Sequence, residues 1–173
     1  MFLNRRTIMT TLYMKQKLIS IGEKFTITDE QGKAKYYVEG SLVKVPKTFT
    51  IYNNKKKKIG KVSKQLVSIL PKFHVMVEGQ GSMTIEKQIS IIKSNYKIKG
   101  NGLSIKGNLL DMNFSLIKNG RKVGAISKKW ISIGDSYEIN IVDPSLEEVM
   151  VALVVAIDYV KASNAKNNQT ENN

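Results

Sequence analysis

One short phrase recurs along almost the whole chain and constrains its fold more than any other feature. Each copy begins with an apolar residue, in most copies close to a serine or lysine. An aromatic residue follows a few residues later, and the residue two positions after the aromatic one is aliphatic. The first apolar residues of the six copies are Leu18, Leu42, Leu66, Ile89, Leu109 and Trp130. The aromatic residues are Phe25, Phe49, Phe73, Tyr96, Phe114 and Tyr137. Such a period indicates that one supersecondary unit is built repeatedly.

Each unit contains two short runs with the alternation of a β-strand. Phe-Thr-Ile-Thr at 25–28 is typical, because it puts apolar side chains on one face and polar side chains on the other. Turn-forming residues follow these runs at 29–32, 53–54, 78–81, 100–102 and 119–120. Asn119-Gly120 is the clearest of them, because both residues accept a positive φ. Six units of two strands predict about twelve antiparallel strands.

A helical pattern replaces the strand pattern after Asp143-Pro144. Ser145 and Glu148 have the spacing of a capping box, in which the serine oxygen accepts a hydrogen bond from the Glu148 amide. Residues 149–157 then contain no polar side chain, and Asp158 is the first interruption. A helix that is apolar on all sides is either buried or in a membrane. Because a span needs about 20 apolar residues, we expect this helix to be buried.

A barrel of this strand number can hold such a helix. The interior of a barrel of about eight strands is filled by its own side chains, and the barrel diameter grows with strand number. A helix with its side chains is about 10–12 Å wide, so a wider barrel has room for it. The sequence therefore predicts a mainly β fold: a closed twelve-stranded antiparallel barrel around a buried hydrophobic C-terminal helix. We expect one domain at 13–161, an N-terminal extension at 1–12 and a disordered, Asn-rich tail at 162–173.

Several segments resemble the bacterial LURP-one-related family. They include Lys-Lys-Trp-Ile-Ser-Ile-Gly-Asp-Ser-Tyr at 128–137 together with 13–17, 29–32 and 149–159, and the resemblance runs from about Tyr13 to Val160. That family is similar in fold to the tubby C-terminal domain and to phospholipid scramblases, so the resemblance implies a tubby-like barrel around a central hydrophobic helix. Tubby domains bind phosphoinositide headgroups through basic residues. No motif here carries those residues over one by one, and the scramblase calcium-binding stretch has no clear counterpart.

The net charge is the main indication of a partner. Lys and Arg number 28 against 14 Asp and Glu, which gives a formal charge of +14. Such a surface attracts phospholipid headgroups, nucleic acids or acidic proteins. The densest basic run lies at a predicted hairpin tip, and two arginines precede the repeat. The candidate contacts for an anionic ligand or lipid surface are Lys55, Lys56, Lys57, Lys58, Arg5 and Arg6. The alternative interpretation of the lysine run is a solvated turn.

Residue types that could support catalysis or metal binding are scattered. His74 is the only histidine, and we expect it on the outer face of a strand. The chain has no cysteine, so it can form neither a thiolate nor a usual zinc site. The repeat itself explains the recurrent serines and aromatic residues, and it places Trp130 in the core with Leu42 and Leu66. We expect no catalytic residue, metal, cofactor, enzymatic activity or nucleic-acid partner.

Two functions therefore remain open. The first is a non-enzymatic barrel that binds an anionic ligand or surface, such as phospholipid headgroups. The alternative is a protein-interaction or regulatory scaffold with no lipid role, whose partner would be an acidic protein. Residues 1–12 lack the apolar stretch of a secretory signal, so we expect a cytoplasmic protein without a transmembrane span, either free or peripheral at the inner membrane surface.

Overall fold

A computed structural model of the chain describes residues 9–15, 24–42, 45–88, 95–131 and 134–170. The strands are β1 (Thr10–Lys15), β2 (Lys24–Thr28), β3 (Ala34–Gly40), β4 (Thr48–Asn53), β5 (Lys58–Lys64), β6 (Lys72–Val77), β7 (Gly81–Gln88), β8 (Asn95–Lys99), β9 (Leu103–Asn108), β10 (Asn113–Lys118), β11 (Arg121–Ile131) and β12 (Gly134–Ile141). A short 3-10 helix (Pro144–Leu146) leads into helix α1 (Glu147–Thr170).

All twelve strands belong to one antiparallel sheet. Strands that are consecutive in the chain pair with each other, and β1 pairs with β12, so that β8 and β9 are left at the two ends of the sheet. These two strands are joined by the turn at 100–102, where the Leu103 amide donates to the Gly100 carbonyl. The sheet therefore curls into a nearly closed barrel. The predicted twelve-stranded barrel is confirmed, with its hydrogen-bonded ladder open only between β8 and β9.

The repeat forms the inner wall of the barrel. Each even-numbered strand carries the repeat aromatic and, two residues later, the repeat aliphatic on its inward face. Tyr96 is partly buried against the core, and the other five repeat aromatics are buried. The buried aliphatic partners are Ile27, Ile51, Val75, Ile98, Leu116 and Ile139. The period-two alternation of side chains explains why both positions point inward.

Helix α1 fills the space inside this wall, as the sequence predicts. Residues 149–160 are all buried, and Val154 has no solvent exposure. The Tyr159 ring packs edge-on against Phe49 and Phe73, with centroid distances of 5.1 and 5.2 Å. The fit is close at Gly124, where an added Cβ would lie 2.6 Å from Cε of Met150. The helix is therefore the centre of the hydrophobic core.

The predicted capping box at the start of the helix is wrong. The cap residue is Asp143, whose Oδ1 accepts hydrogen bonds from the Ser145 amide at 3.0 Å and from Ser145 Oγ at 2.7 Å. Ser145 lies within the 3-10 helix, and α1 begins only at Glu147. The physical reason is that the helical turn already begins at Pro144, so the carboxylate of Asp143 caps the Ser145 amide and engages the serine hydroxyl as well.

The structure also shifts two predicted boundaries. The proposed extension at 1–12 is wrong from Thr10 onward, because 10–15 pair with β12 along their whole length. The proposed disordered tail is wrong for 162–170, which continue α1. Contacts with the wall hold the first turn of this extension: Lys64 Nζ donates to Ser163 Oγ at 2.8 Å, and the Tyr96 hydroxyl donates to Asn164 Oδ1 at 2.9 Å. Residues 1–8 and 171–173 lie outside the described residues.

The two ends of the barrel differ. We call turn end the side that carries the connections 29–33, 54–57, 78–80, 100–102 and 119–120 and the start of α1. We call loop end the opposite side, where the described connections are 41–42 with 45–47, 65–71 and 109–112. The core prediction is wrong for Leu42 and Leu66, which are exposed at the loop end because β3 and β5 end before them. The side chains of Leu18 and Trp130 lie outside the described ones.

Candidate functional site

The lysine run predicted as a contact lies at the turn end, on the β4–β5 hairpin. Asn53 Oδ1 accepts hydrogen bonds from the amides of Lys55 and Lys57, both at 3.0 Å, which fixes the turn. Lys55, Lys56 and Lys57 are exposed in the turn, and Lys58 begins β5. The predicted hairpin tip is confirmed, and it presents several ammonium groups to solvent at one point of the surface.

The same turn geometry occurs on the neighbouring β2–β3 hairpin. There Asp29 Oδ1 accepts from the amides of Gln31 at 3.1 Å and Lys33 at 2.9 Å. The residue with positive φ is Gly32 in this turn, at 78°, and Lys56 in the other, at 59°. A side chain in this conformation costs roughly 1–2 kcal/mol, whereas glycine adopts it freely. Lys56 therefore occupies a position that favours glycine.

Acidic residues from other elements lie close to half of the run. Lys58 Nζ is 3.5 Å from Glu78 Oε1 on the β6–β7 turn. Burial raises the pKa of Glu148 at the start of α1, and the positive charge of Lys57 lowers it. Among the described residues no salt bridge involves Lys55 or Lys56. The site therefore has two lysines available for a ligand and two that already interact with the protein.

A surface hollow of about 400 Å³ lies beside Lys56. Its other lining residues are Tyr37, Glu39, Tyr52 and Asn54. Tyr37 and Tyr52 are directly opposite each other on β3 and β4, on the outer face. Glu39 is neutralised by Lys24, whose Nζ is 3.1 Å from its Oε1. The Lys56 ammonium group is the feature of this hollow that attracts an anion, because aromatic faces by themselves favour cations.

A larger cleft, of about 1050 Å³, lies on the outer surface where β1 and β2 separate. These strands pair only at Tyr13–Thr28 and Met14–Ile27. Among the residues that the structure describes, the charged ones that line the cleft are Lys15, Lys24, Asp29, Glu30 and Glu39. Because three carboxylates face two lysines there, its charge does not favour an anion. Its size therefore does not make it the better candidate.

A polar cluster inside the barrel was missed by the sequence reasoning. Asp158 is buried on α1, and its Oδ1 accepts a hydrogen bond from the Tyr137 hydroxyl at 3.2 Å. Lys161, one turn further along the helix, has its Nζ 3.3 Å from that hydroxyl and 5.3 Å from the centroid of the Tyr137 ring. The only sequence signal was the interruption of the apolar run by Asp158. Nothing in the sequence paired it with a residue of β12.

A second tyrosine–carboxylate contact lies near the turn end. The Tyr36 hydroxyl donates to Glu147 Oε1 at 2.7 Å. Burial raises the pKa of Tyr36, and the hydrogen bond to Glu147 raises it further. The hydroxyl therefore stays protonated and anchors the first turn of the helix to β3. Its role is structural, because its proton is already committed to a carboxylate inside the wall.

The remaining predicted residues fall outside any site. His74 is exposed on the outer face of β6, as predicted, with Nε2 3.0 Å from Gln65 Oε1 and Nδ1 3.4 Å from Thr84 Oγ1. Over the part of the chain that the structure describes, no three His, Asp or Glu side chains come together in a way that could hold a metal ion. Arg5 and Arg6 lie outside the described residues, so the structure does not place them beside the lysine run.

A wall of twelve antiparallel strands with an apolar helix through its centre defines a class of helix-filled β-barrels. A model of the LURP-one-related family matches residues 10–158, most of the chain, and the chain belongs to this family. The resemblance inferred from the sequence is thereby confirmed. The chain is also similar to the uncharacterized protein YxjI of Bacillus subtilis (strain 168), with 28% identity over 152 residues that cover 88% of this chain and 94% of that protein. No solved structure matches it.

The apolar helix raises the question of a membrane span. Within the described ranges, no helix has both the length and the sustained hydropathy that crossing a bilayer requires. The apolar stretch of α1 instead contacts the inner wall of the barrel, where residues 149–160 are buried.

Proposed function

We propose that the protein is a non-enzymatic barrel that binds an anionic lipid surface from the cytoplasmic side. The location of the positive charge supports this proposal most. The formal charge of the whole sequence is +14, and among the described residues α1 fills the barrel interior with buried apolar side chains, so that most of their lysines lie on the outer surface. A ligand must then be met from outside, and a broad positive surface suits an extended anionic partner better than a small enclosed one.

The lysine turn supports the same interpretation. Lys55 and Lys56 have no salt-bridge partner among the described residues, and the hollow beside Lys56 has tyrosine walls. Each basic residue near an anionic membrane contributes about 1 kcal/mol, so binding would come from many weak contacts rather than from one pocket. Such binding would fall steeply with salt, because exposed charges are screened within about 10 Å at 0.1 M ionic strength.

The second candidate is a scaffold for an acidic protein. The same positive charge would serve it. A lipid surface is favoured because lysines outside the lysine turn, such as Lys97 on β8 and Lys106 on β9, are exposed as well, and an extended anionic surface can meet basic residues of more than one hairpin. An acidic protein would neutralise only the part that it covers.

Co-sedimentation of the full chain with vesicles separates the two functions. We expect binding to vesicles of phosphatidylcholine with phosphatidylglycerol, no binding to phosphatidylcholine alone, and release by added salt. A chain that fails to sediment with the anionic vesicles would overturn the lipid function and leave the scaffold. Binding to both vesicle types that salt does not weaken would exclude an electrostatic contact.

A further inference from the structure

Two neighbouring loops at the loop end expose aliphatic side chains into solvent. Val45 is 82% exposed in the β3–β4 loop, and Val67 is 89% exposed in the β5–β6 loop. Leu42, Leu66 and Ile69 are exposed beside them. Because β4 and β5 are hydrogen-bonded neighbours, the two loops leave the wall about 5 Å apart. Five aliphatic residues on adjacent loops form a patch of the kind that marks an interaction site.

These side chains do not serve the fold. The core is complete without them, since the repeat aromatics and α1 are already buried. Leu42 and Leu66 occupy the same position of the repeat, and both have been placed beyond the end of a strand. We call this set of five residues, namely Leu42, Val45, Leu66, Val67 and Ile69, the aliphatic patch.

The charged residues within the two loops that carry the aliphatic patch are all lysines. The segments 41–47 and 64–72 contain lysines and no acidic residue. Lys64 Nζ lies against the end of α1, where it donates to Ser163 Oγ, and Lys47 Nζ lies 5.1 Å from the centroid of the Phe49 ring. Among the described residues, an acidic side chain approaches these lysines from the wall, where Glu86 Oε2 is 4.0 Å from Lys72 Nζ. Aliphatic tips surrounded by lysines match the interface of an anionic bilayer.

A second copy of the chain is a poorer occupant. Two aliphatic patches brought together would also bring together Lys47, Lys64 and Lys72 from each copy, and like charges across an interface are unfavourable. An anionic bilayer accepts both components at once, because its acyl boundary takes the aliphatic side chains and its headgroups take the ammonium groups.

We infer that the aliphatic patch inserts into the interface of an anionic bilayer, with Lys47, Lys64 and Lys72 at the level of the headgroups. The inference rests on the proposed function, but it replaces the lysine turn by the loop end as the surface that meets the membrane. The turn end, with Lys55 and Lys56, then points away from the membrane. Lysine contacts at the turn end would give the opposite orientation, so the two arrangements exclude each other for a single bound molecule.

The chain has no cysteine, so a single cysteine can be labelled without removing another. Val67→Cys carries an environment-sensitive fluorophore at the loop end, and Lys55→Cys carries the same fluorophore at the turn end as the matched control. With phosphatidylcholine–phosphatidylglycerol vesicles we expect a blue shift, and quenching by nitroxide lipids, for the label at position 67 only. A shift confined to position 55 would overturn the inference.

A substitution test measures the affinity. Leu66→Gln, Val67→Gln and Ile69→Gln are combined in one variant, and Lys55→Gln with Lys56→Gln form the control at the turn end. Each inserted aliphatic side chain is worth on the order of tenfold in affinity, so the triple variant should bind the anionic vesicles on the order of a hundred-fold or more weaker. The control should lose much less.

The outcomes keep the two proposals distinguishable. Wild-type chain that does not bind the anionic vesicles overturns the lipid function and this inference together. Wild-type binding with an unaffected triple variant and no change in the position-67 label overturns the insertion alone and leaves the lipid function standing. An unchanged melting temperature of the triple variant shows that a loss of binding is not a loss of fold.

Discussion

The two ends of the barrel are built from the same repeat but differ in the length and the polarity of their connections. At the turn end the connections are short, with positive φ at residues such as Gly32, Lys56 and Asn119, and their side chains are polar. At the loop end the connections 41–47 and 65–71 are longer and carry exposed aliphatic residues. The aromatic half of each repeat belongs to the wall, whereas Leu42 and Leu66 at the first apolar position are exposed beyond the end of a strand.

The difference shows what an apolar residue means in this repeat. Inside the wall, alternation and strand pairing leave it no choice but the core. Beyond the last hydrogen-bonded residue that constraint ends, and an aliphatic side chain can remain exposed. Apolar residues in the wall therefore stabilise the fold, whereas apolar residues at the loop end are available for a partner.

The largest expected effect comes from comparing a charge placed in the core with the same charge placed at the loop end. Val154→Asp buries an unpaired carboxylate at the centre of α1, at a cost of several kcal/mol, which is comparable to the stability of a domain. We expect that variant to aggregate. Ile69→Asp, a matched change at the loop end where the side chain is fully exposed, should melt like the wild type. Circular dichroism melting compares them, and a cooperative, near-native melt of Val154→Asp would contradict the helix-filled barrel.

The interior cluster should show the next largest effect. Asp158→Ala removes the acceptor of the Tyr137 hydroxyl in a buried place, and we expect it to cost about 1.5–3 kcal/mol, the range for hydrogen bonds to charged groups. Urea unfolding measures the change. Tyr137→Phe and the double variant complete a double-mutant cycle, and full additivity of the two single changes would show that the contact contributes nothing.

The two related turns offer an exchange of glycine and lysine. Lys56→Gly should stabilise the β4–β5 hairpin by about 0.5–1 kcal/mol, because relief of the positive φ exceeds the added freedom of glycine in the unfolded chain. Gly32→Lys should destabilise the β2–β3 hairpin by a similar amount. Denaturant midpoints test both. Effects of the same sign in the two variants would show that the positive φ at this position does not decide the stability of the hairpins.

Much of the wall could be predicted from the sequence, because the repeat states its alternation and its turns explicitly. Phe49 and Ile51 read as inward-facing, and Asn119-Gly120 reads as a hairpin. The cap at Asp143 and the continuation of α1 to Thr170 could not be predicted with the same certainty. They depend on which of several adjacent polar groups reaches an orphan amide and on contacts between the helix end and the wall.

The candidate site was predictable only as a location. Lysine density and turn chemistry placed Lys55–Lys58 at a hairpin tip. The neighbours that decide which lysines are available come from the β6–β7 turn and from α1, far away in the chain. The aliphatic patch was hidden by the repeat itself, because its shared position suggested core packing. Period and composition do not show where a strand ends.

The smallest expected effect concerns Lys57 and Glu148 at the turn end. Burial raises the pKa of Glu148, and Lys57 opposes that shift, so Lys57→Gln should raise this pKa further. A carboxyl whose pKa is raised by folding favours the fold when it is protonated, and this contribution is lost as the pH rises through the folded pKa. Lys57→Gln should therefore be slightly less stable than the wild type at neutral pH, and the difference should vanish below about pH 4. Carboxyl-carbon NMR titration measures the pKa directly, with Lys55→Gln as the control; an unchanged Glu148 pKa in Lys57→Gln would remove the link between the lysine turn and the helix.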